Sequence, residues 1–190
     1  MATPEYLLYH APGTRSGRTK MVLDLLDVEY DLETIDFEAD EHKGREYRAV
    51  HPLGLVPSLR VDGELIVESA AQIIILADRH WGKGLAPHPT SPSRARYVEM
   101  FLLSSALVEP LVAQLWRNID DPEARRRVHI GLRMFAERLS GPFLLGERMC
   151  AADVFLHWGL KFFDDDLLGK LPRLRDYRAM MGEVINWQGY

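Results

Sequence analysis

The stretch that most limits what this chain can fold into is His51-Pro52-Leu53-Gly54-Leu55-Val56-Pro57-Ser58-Leu59, followed nine residues later by Glu68-Ser69-Ala70-Ala71-Gln72-Ile73. A proline entering a short apolar run cannot donate to a sheet ladder, so Pro57 belongs at an edge, a bulge or a cis-proline turn. The second piece follows a short strand at 65–67 and puts a carboxylate and a hydroxyl at the start of a helix. Helix starts present free N–H groups and the positive end of the dipole, a natural seat for a carboxylate ligand. Together the two pieces describe a pocket for a small peptide-like acid.

Around this pair the pattern is layered. Residues 6–10 form a strand candidate stopped by Ala11-Pro12-Gly13, and a helical pattern with Met21, Val22, Leu25 and Leu26 follows from about residue 16. Residues 28–37 read as a second strand and 40–50 as a short polar helix. Asp62-Gly63 between two apolar runs is a hairpin signal, and 69–80 a buried helix. The order β-α-β-α-β-β-α supports an α/β layer. Proline, glycine and serine then mark a linker at 82–92. Beyond it everything reads as helix: a long one over 93–117 kinked at Pro110, one over 124–139 opened by Asp121-Pro122-Glu123, an apolar one over 154–163, and a last one over 171–185.

Composition narrows the function classes. A net charge of −5 and a pI of 5.8 argue against a nucleic-acid partner held by general electrostatics. The basic run Arg125-Arg126-Arg127 lies beside Asp120, Asp121 and Glu123 and reads as a solvated helix face. The sequence shows no charged-then-apolar leader and no apolar run near the length of a membrane span, so neither secretion nor membrane insertion is expected. The single cysteine, Cys150, rules out an intramolecular disulfide and a Cys-x-x-Cys pair and fits a reducing cytoplasm. The seven histidines have no metal-ligand spacing, so no metal is expected.

The paired motifs resemble the glutathione-binding half of the cytosolic glutathione transferase family, whose pattern reads Asn-Pro-x-Gly-x-Val-Pro-x-Leu and then Glu/Gln-Ser-x-Ala-Ile. His51 stands here for the usual Asn, and Gln72-Ile73 closes the second motif. The resemblance spans essentially the whole chain. It implies an α/β plus all-α protein: a thioredoxin-like N-terminal domain over 1–81, the linker at 82–92, and a helical-bundle C-terminal domain over 93–190. Cys150 to Asp153 stands where the family carries a Ser/Thr-to-Asp capping box before a buried helix. A thiol is a poor cap acceptor, so Cys150 is expected to be structural and to cost up to about 1 kcal/mol against Ser or Thr.

The resemblance also implies a chemistry. Glutathione would be bound as co-substrate, with no metal, held as thiolate and added to a small apolar electrophile. Lowering a thiol pKa of about 8.5 by two units takes roughly 2.7 kcal/mol, which one hydroxyl donor and a helix N-terminus can supply. Tyr9 stands where tyrosine-type members carry their catalytic residue. Thr14 and Ser16 lie near where serine- and cysteine-type members carry theirs. That residue commonly precedes an arginine equivalent to Arg18 by five positions, which here is Gly13 and donates from no side chain. The three candidates, and activation by backbone N–H groups alone, stay open. A cis Pro57 would turn the backbone of Val56 toward the cysteinyl part of glutathione. Ser69 would take the γ-glutamyl carboxylate and Glu68 the α-ammonium. Arg15, Arg18, Lys43 or His51 would meet the glycyl carboxylate, since Leu55 replaces the lysine of many relatives. An electrophile site would draw on Tyr97, Phe101, Ser104 and Trp116.

Two further readings keep the same fold. One changes the reaction to glutathione-dependent isomerisation, dehalogenation or ether cleavage. The other is a non-catalytic interaction module, kept open by Gly13, His51 and Leu55. A homodimer in the cytoplasm acting in detoxification is the family expectation.

Overall fold

The computed structural model describes residues 6–117 and 121–190; Asp120, expected on a solvated face, lies outside them. The chain divides into two compact units, one running up to Lys83 and including Trp187–Tyr190, the other Gly84–Asn186.

The first unit is built on a four-stranded mixed sheet of order β2-β1-β3-β4. Strand β1 (Tyr6–His10) runs parallel to β2 (Asp31–Thr34) and antiparallel to β3 (Ser58–Val61), which pairs with β4 (Glu64–Ile66). Asp62 and Gly63 both take positive φ, 51° and 85°, as a tight two-residue hairpin turn demands. The second strand covers only Asp31–Thr34 of the ten residues expected, because it is an exposed edge with one pairing partner. Helices α1 (Ser16–Leu25) and α3 (Ser69–Arg79) pack against each other. The polar 40–50 segment is a 3-10 turn at Glu41–Lys43 and a short helix α2 (Arg45–Val50), separated by the extended Gly44. Tyr9, Ala11, Ile35, Tyr47 and Val56 form a buried cluster with Leu7 and Val50 against it.

The second unit is helical: α4 (Arg94–Leu103), α5 (Glu109–Trp116), α6 (Pro122–Arg138), α7 (Ala151–Leu160), α8 (Asp165–Gly169) and α9 (Pro172–Val184). The long helix expected over 93–117 is continuous but opens into a π turn at Ser104–Val108, directly before Pro110. Proline offers no N–H and its ring crowds the carbonyl four residues back, and the wider turn relieves both. Gly131 and Gly159 seat this turn: a Cβ on either would lie 2.5 Å from Leu107 Cδ1 or 2.6 Å from Val108 Cγ1. By length and a mean hydropathy of 1.5, Arg94–Trp116 is long and apolar enough to cross a membrane, whereas no such run is expected from the sequence. Its Tyr97, Met100, Phe101, Val108, Leu111 and Val112 are nonetheless buried in the bundle.

Asp121 caps α6 through Glu123 N–H (3.1 Å) and Ala124 N–H (3.2 Å), and Arg126 forks onto Glu123 at 2.9 Å, leaving the basic run on a solvated face. At the start of α7 both halves of the capping box form, with Cys150 as the cap. Burial pushes the Cys150 thiol well up, so it stays protonated and structural.

Candidate active site

The site is assembled in the first unit from three backbone pieces: the β1–α1 loop, the Val56–Pro57 turn and the start of α3. The Val56–Pro57 bond is cis. Among the described residues no protein group bonds to the N–H or C=O of Val56, so both edges of this peptide are open for strand-like pairing with an extended ligand.

Buried polar side chains bolt the pieces together. Gln72, fully buried on the first turn of α3, donates Nε2 to the carbonyls of Pro57 (3.2 Å) and Ile66 (2.7 Å) and accepts from Thr19 Oγ1 of α1 at 2.9 Å. The residue before Thr19 on α1, Arg18, donates Nε (3.1 Å) and Nη2 (2.7 Å) to Ser69 Oγ. Arg18 is 2% exposed, so a guanidinium charge stands beneath the N-terminus of α3. Ser69 is where the sequence expected it, at the first position of α3. Glu68 is the exposed residue before it and makes no side-chain cap, leaving its carboxylate facing solvent.

The three thiol-activation candidates are placed differently. Tyr9 points to the α2 side of the sheet, its ring 5.8 Å from that of Tyr47 within the buried cluster. Successive strand residues alternate faces, so His10 points the other way, to α1. Its Nδ1 lies 2.7 Å from Ser16 Oγ. The Ser16 hydroxyl also meets the Ala11 N–H and carbonyl (both 3.0 Å) and Thr14 Oγ1 (2.8 Å), and Ser16 is fully buried. Thr14 is half-buried; its hydroxyl donates to the Ala11 carbonyl at 2.7 Å and accepts the Ser16 N–H at 3.2 Å. Ser16 therefore staples the loop, and Thr14 carries the hydroxyl nearest its surface.

The remaining candidates spread out. Arg15 is the half-buried residue before α1. Lys43 is exposed and pairs with Asp40 at 2.7 Å. His51 is buried at the end of α2, where its Nδ1 accepts the Leu53 N–H at 3.2 Å; burial lowers its pKa and keeps it neutral. It braces the turn that leads to Pro57. Tyr97, Phe101 and Ser104 are core residues of the second unit, with Phe101 edge-on to Tyr97 and Phe155. Trp116 keeps 44% of its surface exposed against Trp158 and Phe162.

Two participants escaped the sequence reading. His10 is a lone histidine at a strand end, with no spacing signal beyond the serine six residues on. Gln72 was legible as a motif position, but its contact with Pro57 depends on a fold that brings the two together.

Burial holds His10 and His157 down to about 4. Each is neutral in the native state and takes a proton near 6.5 once unfolded, so acid favours unfolding. Stability should therefore be full above about pH 6.5 and fall as pH drops toward 4, by at most about 3 kcal/mol per histidine. Denaturant melts across that range test this. A flat profile would contradict it, and His10→Asn should remove part of the slope.

A family model for the glutathione S-transferase N-terminal domain matches residues 14–79. The maleylacetoacetate isomerase of Rhizobium meliloti is 32% identical over 170 residues, covering 82% of this chain and 80% of that protein. The chain belongs to the glutathione S-transferase family. Glutathione S-transferase P 10 of Caenorhabditis elegans is 25% identical over 202 residues, covering all of this chain and 91% of that protein. The crystal structure of a glutathione transferase from Methylococcus capsulatus superposes with a TM-score of 0.80 at 28% identity, covering 94% of this chain and 93% of the other. The thioredoxin-like and helical units thus form a glutathione S-transferase fold, with the family's N-terminal motif on the three pieces that build the site.

Proposed function

We propose that this chain binds glutathione along the Val56–Pro57 turn and the start of α3 and holds it as a thiolate for attack on an electrophilic carbon. The observation that carries this reading is the buried Arg18–Ser69 pair at a helix N-terminus, locked to the cis-proline turn through Gln72. Guanidinium, hydroxyl and helix N–H groups together suit a carboxylate, and the free edges of Val56 suit a peptide.

Thr14 is the thiol-activating donor in this proposal. When it turns its proton to sulfur, the Ala11 carbonyl keeps the Ser16 hydroxyl (3.0 Å) and the Thr14 N–H (3.3 Å), so both lone pairs stay satisfied. A hydrogen bond to a charged group contributes about 1.5–3 kcal/mol, enough to lower the thiol pKa by one to two units. In conjugation the sulfur forms a bond to carbon while a leaving group departs with its electron pair. An isomerase reading is favoured by the 32% identity to a protein of that name. There the thiolate adds to an activated double bond, the resulting single bond rotates, and the thiolate leaves unchanged. A homodimer in the cytoplasm, acting in detoxification, completes the proposal.

The test is a titration of thiolate ultraviolet absorbance with bound glutathione from about pH 5 to 9, bracketing the free thiol. A midpoint well below 8.5 is expected, and Thr14→Val should raise it by about 1–2 units while Tyr9→Phe leaves it in place. Saturable binding without a thiolate signal would sink the catalytic reading. An unchanged midpoint in Thr14→Val would sink the assignment of Thr14. Product analysis with a cis-unsaturated acid and with an alkyl or aryl halide separates isomerase from transferase.

A further inference from the structure

The segment Trp187–Tyr190 leaves the helical unit's sequence and folds as part of the glutathione-binding unit. Its last residue is held on α1 by several contacts. The Tyr190 hydroxyl donates to Asp24 at 2.6 Å, and Lys20 Nζ stands 4.3 Å above the ring. Burial and the Asp24 carboxylate push this phenol up to about 12, so it donates throughout the neutral range. The main-chain oxygen of Tyr190 accepts the Gly13 N–H at 2.9 Å. Gly13, at φ 75°, is the turn that delivers Thr14 to the start of α1. Gly17 makes the approach possible. A Cβ there would lie 2.9 Å from the Tyr190 carbonyl carbon and 3.2 Å from its Cβ, and its three nearest neighbours all belong to Tyr190.

We infer that Tyr190 is a positioning residue for thiol activation: anchored on α1 by its ring and phenol, it fixes the Gly13 amide with its main-chain oxygen and so sets the direction of the Thr14 hydroxyl. This rests on the role given to Thr14 above. The loop is otherwise closed by bonds among residues 10–16, including the Thr14 N–H on the Ala11 carbonyl at 3.3 Å, which hold its interior but leave the Gly13 N–H to the tail. A glycine peptide has wide rotational freedom, and an external acceptor removes it.

The experiment compares the full chain with a chain ending at Asn186, with Gly17→Ala and with Tyr190→Phe. Deletion removes no residue of α9, which ends at Val184. Gly17→Ala displaces Tyr190 without removing any of its atoms, and alanine favours the helix. Glutathione affinity by calorimetry should stay within about threefold, because Val56, Arg18 and Ser69 are untouched. The thiol midpoint should rise by about one unit in the deletion and in Gly17→Ala, and kcat at neutral pH should fall roughly three- to eightfold with little change in KM. Tyr190→Phe, which keeps the ring and the main-chain oxygen, should fall between. Gly17→Ala should add nothing in the shortened chain. An unchanged midpoint, a rise in turnover, or a parallel loss of affinity and midpoint would each overturn the positioning role. Should the full chain itself fail to ionise bound glutathione, the reading of Thr14 fails, and this role with it, before any variant is made.

Discussion

Asp153→Ala is expected to destabilise the helical unit by about 4 kcal/mol and to lower the melting temperature by roughly 8–16 °C. Asp153 is fully buried. Its Oδ2 accepts the Cys150 N–H at 2.8 Å, and its Oδ1 accepts the Leu144 N–H and the Tyr177 hydroxyl, both at 2.9 Å. One carboxylate thus closes the start of α7, ties down the 140–150 connection and fastens α9. Alanine leaves two buried N–H donors without an acceptor, each costing about 1–3 kcal/mol, and leaves the Tyr177 hydroxyl only its longer contact with the Asp153 carbonyl at 3.4 Å. Asp153→Asn keeps the shape but turns an amide N–H₂ toward donors, and should lose about half as much. Calorimetric melting or denaturant titration measures this. A change under about 1 kcal/mol would mean that the box is dispensable. Cys150→Ser, with a better cap acceptor, should be neutral or slightly stabilising.

Ser69→Ala is expected to weaken glutathione binding by roughly 10- to 100-fold, the loss of one hydrogen bond to a charged group. The hydroxyl at the start of α3 is held by both donors of the Arg18 fork, so its position is fixed before a ligand arrives. Removing it also costs the buried Arg18 one acceptor and two hydrogen bonds. Arg18→Met, which keeps the length and drops the charge, should weaken binding at least as much; Arg18→Lys should recover little, because a point charge cannot reproduce the fork. Binding should not vanish in Ser69→Ala, since the Val56 backbone is untouched. Calorimetric titration with glutathione decides the matter. Affinity within about twofold of the parent would remove Ser69 from the pocket.

Much of the frame was readable along the chain because its signals are local. Asp62-Gly63 can only serve a turn whose two residues accept positive φ, and the hairpin forms there. Asp121-Pro122 marks a helix start through a cap and a missing donor, and α6 begins at Pro122. The Val56–Pro57 and Glu68-Ser69 motifs marked a proline turn and a helix start, and a cis-proline turn and the first residue of α3 stand there. The expected second strand shrank because edge strands have one partner, and sequence does not say which strand will be the edge. The helix over 93–117 carried its proline in plain view, yet the five-residue π turn depends on what packs beside it, including Gly131 and Gly159.

The candidate electrophile residues show the same divide. Tyr97, Phe101 and Ser104 share a helical face, and a face reads alike whether it covers a core or lines a cleft. Tyr9 likewise ends the first strand as expected, but only the sheet's pairing decides that its ring turns toward Tyr47.

By itself the sequence determined what is set by neighbours a few residues apart: the turns, the helix starts, the two motifs and the α/β-then-helical order. Backbone sterics and capping chemistry act over that range, and they need no knowledge of the rest of the chain. Only the tertiary structure decided that Arg18 lies under Ser69, that Gln72 bridges Thr19 and Pro57, that His10 meets the Ser16 hydroxyl, and that Tyr190 takes the Gly13 amide. These contacts join residues as far as 177 positions apart (190 − 13), and nothing in the local preferences of either partner encodes the other. They form because burying a polar group requires a partner, and the fold is the arrangement in which those partners meet.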